Sequence, residues 1–114
     1  MAAGYNDIDI DKGASYTTQI TLADQYGTPF NLTGFTVKSQ AKKSYYSPII
    51  VLTFTSSIVD AANGIIELDL TANTTANLAP GKLVYDIIVT DTVTQFITRV
   101  MEGQIFVAPS VTIS

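Results

Sequence analysis

The chain has 114 residues, 46% hydrophobic and 14% charged, enough for one domain with its own core. It holds no Cys, His or Trp, which excludes disulfides and thiolate chemistry and removes the commonest general base and transition-metal ligand. Six basic against ten acidic residues leave a net charge of −4, the wrong sign for general phosphate binding.

Turn residues punctuate the chain, and the runs between them are rich in Ile, Val, Thr, Tyr and Phe. No apolar run approaches the roughly 20 residues of a membrane span. Met1 to Gly4 has no signal-peptide character. The first predicted strand is 5–11, with Ile8 and Ile10 facing in and Asp7, Asp9 and Asp11 facing out. In 15–22, Tyr16, Thr18, Ile20 and Leu22 share one face. Gly27 and Pro29 suit a turn. In 35–42, Phe35, Val37, Ser39 and Ala41 point inward and Thr36, Lys38, Gln40 and Lys42 outward. Residues 49–55 are expected to form a strand apolar on both faces. Asn63-Gly64 suits a hairpin turn with positive φ, and 64–70 buries Ile66, Leu68 and Leu70. Residues 71–78 form one helical turn capped by Thr71, ending before Pro80-Gly81. Strands 82–90 and 95–107 again carry apolar groups on both faces, with Val84, Ile88 and Phe106 as the surplus and a bulge or bend expected at Gly103. Beyond Pro109 the alternation resumes at Val111 and Ile113. That tail is expected to pack along a partner, adding a strand to its sheet.

The period is two throughout, so two sheets must face each other to bury one side of each strand. No linker, charge block or repeat divides the chain. The expectation is a single β-sandwich domain over 1–114, with extended terminal segments 1–4 and 108–114.

Candidate chemistry is sparse. Asp7, Asp9 and Asp11 share a strand face and offer oxygens to a hard cation such as calcium. However, Lys12 stands where a calcium loop needs Gly, and Thr18 where it needs Glu, so a solvated strand face is the expectation. In KKSYYSP, Lys42, Lys43, Tyr45 and Tyr46 mark a hairpin tip whose tyrosines suit a protein contact. Ser39 with Lys38, and Ser44 with Lys43, are neighbours on opposite strand faces and cannot form a nucleophile pair. Asp86 is expected to bond a turn backbone. Asn31-Leu32-Thr33 and Asn73-Thr74-Thr75 match glycosylation acceptors without other signs of secretion. No glycine-rich phosphate loop precedes a helix. The sequence thus points to no catalytic residue, no cofactor, no metal and no small-molecule substrate. Nucleic acid and membrane are not expected partners.

The order of segments carries a resemblance. GASYTTQITLAD at 13–24 runs into YGTPFNLTGFTVKSQAKKS at 26–44. GIIELDLTANTTANLAPGKLVYDIIVTD follows at 64–91, then RVMEGQIFVAP at 99–109 and VTIS at the end. This series resembles small β-sandwich structural proteins of tailed bacteriophages, and it is similar to the N-terminal immunoglobulin-like domain of phage baseplate upper proteins. Its marks are the Pro29-to-Gly34 turn with Asn31-Leu32-Thr33-Gly34, the bridge from Thr75-Ala76 through Leu78 to Pro80-Gly81, Tyr85-Asp86, and Gly103 before the final strand. The resemblance implies an all-β, immunoglobulin-like antiparallel β-sandwich of about seven or eight strands. It also implies a non-enzymatic virion subunit that docks onto other phage virion proteins and onto copies of itself, as a tail or baseplate component or a capsid decoration. No catalytic residues carry over. The sequence ends where that domain ends, so no receptor-binding head is expected.

On this reading Tyr45, Tyr46, Val84, Ile88, Phe106 and Val111 are the expected interface residues. The alternative is a carbohydrate or host-surface binding module that uses the KKSYYS tip and a cation at the Asp7 cluster, although the lack of Trp removes the usual sugar-stacking platform. An enzyme is the third and least supported reading.

Overall fold

The computed structural model describes residues 4–23 and 26–109. Nine strands and one helix follow one another within these residues: β1 (Gly4–Tyr5), β2 (Ile8–Asp11), β3 (Tyr16–Thr21), β4 (Phe35–Lys42), β5 (Leu52–Thr53), β6 (Thr55–Asp60), β7 (Ile65–Leu70), α1 (Ala72–Ala76), β8 (Gly81–Asp91) and β9 (Ile97–Ala108). A six-stranded sheet has the order β1-β9-β8-β4-β5, with β2 also on β9, and a three-stranded sheet has the order β3-β7-β6. The period-two pattern dictates their stacking. Ile66, Leu68 and Leu70 of the small sheet and Leu83, Tyr85, Ile87 and Val89 of β8 are buried in one core with Ile8, Ile10, Ile105 and Val107. The result is a β-sandwich. Among the described residues, no helix is long and apolar enough to cross a membrane.

Four local expectations need correction. The run at 5–11 is two strands, and both pair parallel with β9 instead of antiparallel (Gly4↔Met101, Ile8↔Ile105). Between them the Asp7 carboxylate accepts the Gln104 amide at 3.1 Å, replacing a backbone carbonyl in the ladder. The run at 49–55 is also broken. Only Leu52 and Thr53 pair with β4, and after Phe54 the chain crosses to the small sheet as β6, which the sequence reading did not separate. Two serines in β6 had diluted its apolar signal. The bulge in β9 lies at Val100, where the partners of Ile87 and Ile88 jump from Met101 to Arg99, and not at Gly103. Finally, the hairpin before β9 includes Gln95, held at φ 63, so the strand starts at Ile97.

Gly103 answers a different need. A Cβ there would lie 1.9 Å from the Asn6 carbonyl oxygen and 3.1 Å from the Tyr85 ring. Only glycine lets the β1–β2 junction settle onto β9. That approach brings the Asn6 carbonyl within 2.5 Å of the Tyr85 hydroxyl, which donates to it. Tyr85 is 2% exposed and meets Phe54 edge-on at 6.2 Å. Gly64 takes the expected positive φ of 69° in the β6–β7 turn. Thr71 caps α1, accepting the Thr74 amide at 3.3 Å. The fully buried Thr75 anchors the helix: its hydroxyl accepts from the Gly13 amide at 3.1 Å and donates to the Ala14 carbonyl at 2.8 Å. Val111 lies outside the described residues.

Two outcomes are expected. Gly103→Ala should destabilise the fold by about 1–3 kcal/mol, read as a lowered midpoint in chemical denaturation. A wild-type midpoint would mean that the β1–β2 junction moves aside freely. Burial pushes the Tyr85 phenol from its ordinary 10.0 up to about 12. The folded protein therefore holds this proton after the unfolded chain has lost it. The stability that Tyr85 confers is complete below about pH 10 and declines as pH rises to about 12. Tyr85→Phe should flatten that decline in alkaline melts while costing about 1 kcal/mol at neutral pH.

Candidate interaction surface

The outer face of the large sheet follows from register. Opposed residues share a face, so the rows across β4, β8 and β9 read Lys42–Val84–Gln104, Gln40–Asp86–Glu102 and Lys38–Ile88–Arg99. The loop from Lys43 to Val51 rises beside these rows. Together they enclose a concavity of about 410 Å³, lined by Val84 and Ile88 at its floor, Gln40, Lys42, Asp86 and Arg99 as polar groups, and Tyr45 and Ile50 from the loop. The structure thus brings Tyr45, Val84 and Ile88 together. Tyr46, 97% exposed, stands on the same loop but does not line the hollow. Phe106, 41% exposed, lies farther along the same face between Lys82 and Asp9. Ile49, expected within a strand, is exposed on the loop instead.

Of the charged groups in the hollow, Lys42 and Asp86 stand out in the sequence and Arg99 does not, and the role expected for Asp86 needs correction. Asp86 sits mid-strand on the outer face and not at a turn. Its signal was there to be read: it shares the period-two face of Val84 and Ile88. Burial raises its pKa above the ordinary carboxylate value, against the pull of Arg99 and Lys42, and Glu102 adds to the rise. Arg99 also meets Glu102 at 3.5 Å, an exposed pair of small energetic weight. On the inward side of the same strands, Ser39 is buried and donates to the Asp86 carbonyl at 2.7 Å, a structural bond.

Elsewhere the candidate chemistry does not assemble. Asp7 is engaged with Gln104, Asp9 and Asp11 lie exposed along β2, and among the described residues no three His, Cys, Asp or Glu side chains form a metal-ligating group. What remains is a partly desolvated patch with an aromatic wall, an apolar floor and charges of both signs. Such a patch suits recognition of a polar partner surface.

No protein-family model matches the chain, and no curated protein matches it. Solved structures do. The N-terminal domain of phage TP901-1 ORF48 superposes with a TM-score of 0.63 at 12% identity, over 90% of this chain and 84% of that one. InlP of Listeria monocytogenes gives a TM-score of 0.51 at 13% identity, over 93% of this chain and 27% of that one. The sandwich expected from the sequence resemblance is therefore a fold shared with the N-terminal domain of a phage protein.

Asp86 provides a test of the hollow. Its folded pKa is raised, so its contribution to stability is greatest below the ordinary carboxylate value and falls as pH rises through the folded value. Asp86→Asn should therefore leave the neutral-pH unfolding midpoint unchanged or higher. A clear loss would show that Arg99 and Lys42 more than offset the burial of the carboxylate.

Proposed function

We propose that this chain is a virion structural protein of a tailed bacteriophage, a non-enzymatic subunit that docks onto other virion proteins in the tail, the baseplate or the capsid shell. The likeness to the N-terminal domain of phage TP901-1 ORF48 carries this reading, because it extends over nearly the whole of both chains. The sequence resemblance supports it independently through turn residues. The architecture is compatible with it: affinity comes from burying the Tyr45, Ile50, Val84 and Ile88 surface, and orientation comes from Lys42, Asp86 and Arg99. Fold by itself does not assign function; the docking surface is the added argument. The protein then acts in the virion, after assembly in the bacterial host.

A second reading, a carbohydrate or host-surface module, draws on the same hollow. Tyr45 offers a ring face, and Gln40, Asp86 and Arg99 offer donors and acceptors. A glycan array with the isolated domain separates the two.

Mass spectrometry of purified particles should find this chain in stoichiometric amount; its absence from particles overturns the virion reading. Ile88→Lys with Tyr45→Ala should abolish incorporation while the circular dichroism spectrum stays that of the folded protein. Undiminished incorporation would place the docking surface elsewhere.

A further inference from the structure

The two ends of the large sheet differ in shape and charge. At one end, β8 turns into β9 through a tight hairpin. The Asp91 carboxylate accepts the Val93 and Thr94 amides at 2.9 and 3.2 Å, and the Gln95 amide bonds the Asp91 carbonyl at 2.8 Å. Thr92 is tied to the Gly34 carbonyl through both its amide and its hydroxyl. These bonds hold a rigid knob whose apolar side chains nevertheless face water: Val93 is 87% exposed, Phe96 70% and Ile97 60%. The described segments 20–23, 26–34, 58–66 and 89–97 that build this end contain no Lys or Arg, and Asp60 and Asp91 lie within it.

The other end is concave and basic. Val51, Leu78, Pro80 and Leu83 line a cleft of about 340 Å³ between the 43–51 loop and the bridge into β8, with Lys43 and Lys82 at its rim. Lys12 and Lys42 are at the same end, which thus carries four of the six basic residues against the exposed Asp11 beside Lys12. β8 alone runs from one end to the other over eleven residues, roughly 35 Å. Knob and cleft therefore cannot meet within one molecule.

We propose that the protein self-associates head to tail, the Asp91–Ile97 knob of one copy seating in the lysine-rimmed cleft of the next. A preformed apolar projection meets an apolar hollow, and an acidic end meets a basic one. The contact is heterologous, so each copy keeps one knob and one cleft free for further copies, giving a ring or an open row. This goes beyond the virion reading, which assigns no surface to self-contact.

The test is analytical ultracentrifugation of the full chain from about 10 μM to 1 mM. Wild type should show a mass that grows with concentration and falls with added salt. Phe96→Ser, with Val93→Ser as a second exposed knob variant, should weaken association roughly tenfold or more. So should the rim variant Lys43→Glu with Lys82→Glu. All of these sites are exposed, so circular dichroism should be unchanged. The decisive arm mixes a knob variant with the rim variant in equal amounts. One intact knob and one intact cleft remain, so the mixture should form a 1:1 dimer and nothing larger. A monomeric wild type at 1 mM, a rim variant that assembles like wild type, or a mixture that stays monomeric would each overturn the proposal. None of these results bears on whether particles contain the chain, so the virion reading stands or falls separately.

Discussion

The Tyr85 hydroxyl and the Asn6 carbonyl meet over Gly103, and the arrangement of the large sheet follows from that contact. A side chain at position 103 would hold the N-terminal segment off β9. Without that segment Ile8 and Ile10, both nearly inaccessible, would leave the core. A buried phenol needs a partner, and a sheet edge needs cover; the one bond supplies both. On either side of that contact the N-terminal strands run parallel to β9, with Ile8 beside Ile105.

Closing the core in this way leaves the outer face of β8 and its neighbours uncovered. Val84 and Ile88 stay partly accessible there, and Asp86 between them is less solvated than a surface carboxylate should be. The Tyr45 loop walls this face on one side.

The two ends of the sheet differ for a related reason. Hairpin tips are the least constrained parts of a sandwich, and exposed Phe96 and Val93 bring no benefit to an isolated molecule. The bonds that fix Asp91 and Thr92 reduce the entropy lost when such a tip is gripped. The two ends of the sheet thus differ in shape, charge and rigidity.

How much was legible in the residues divides along a physical line. The alternation at Tyr16–Leu22, Phe35–Ala41 and Ile66–Leu70 determined which side chains are buried, because a pleated strand must put successive residues on opposite faces. Asn63-Gly64 and Thr71 announced their turn and cap, because positive φ and capping are local requirements. The parallel pairing of the N-terminus, the switch of sheets after Phe54, and the meeting of Asp86 with Arg99 and Lys42 were decided only by the tertiary structure. Each depends on which strands become neighbours, and pairing joins residues distant in sequence through backbone groups that are the same in every residue. Composition and period specify what a strand buries; the assembled sheets specify what lies beside it.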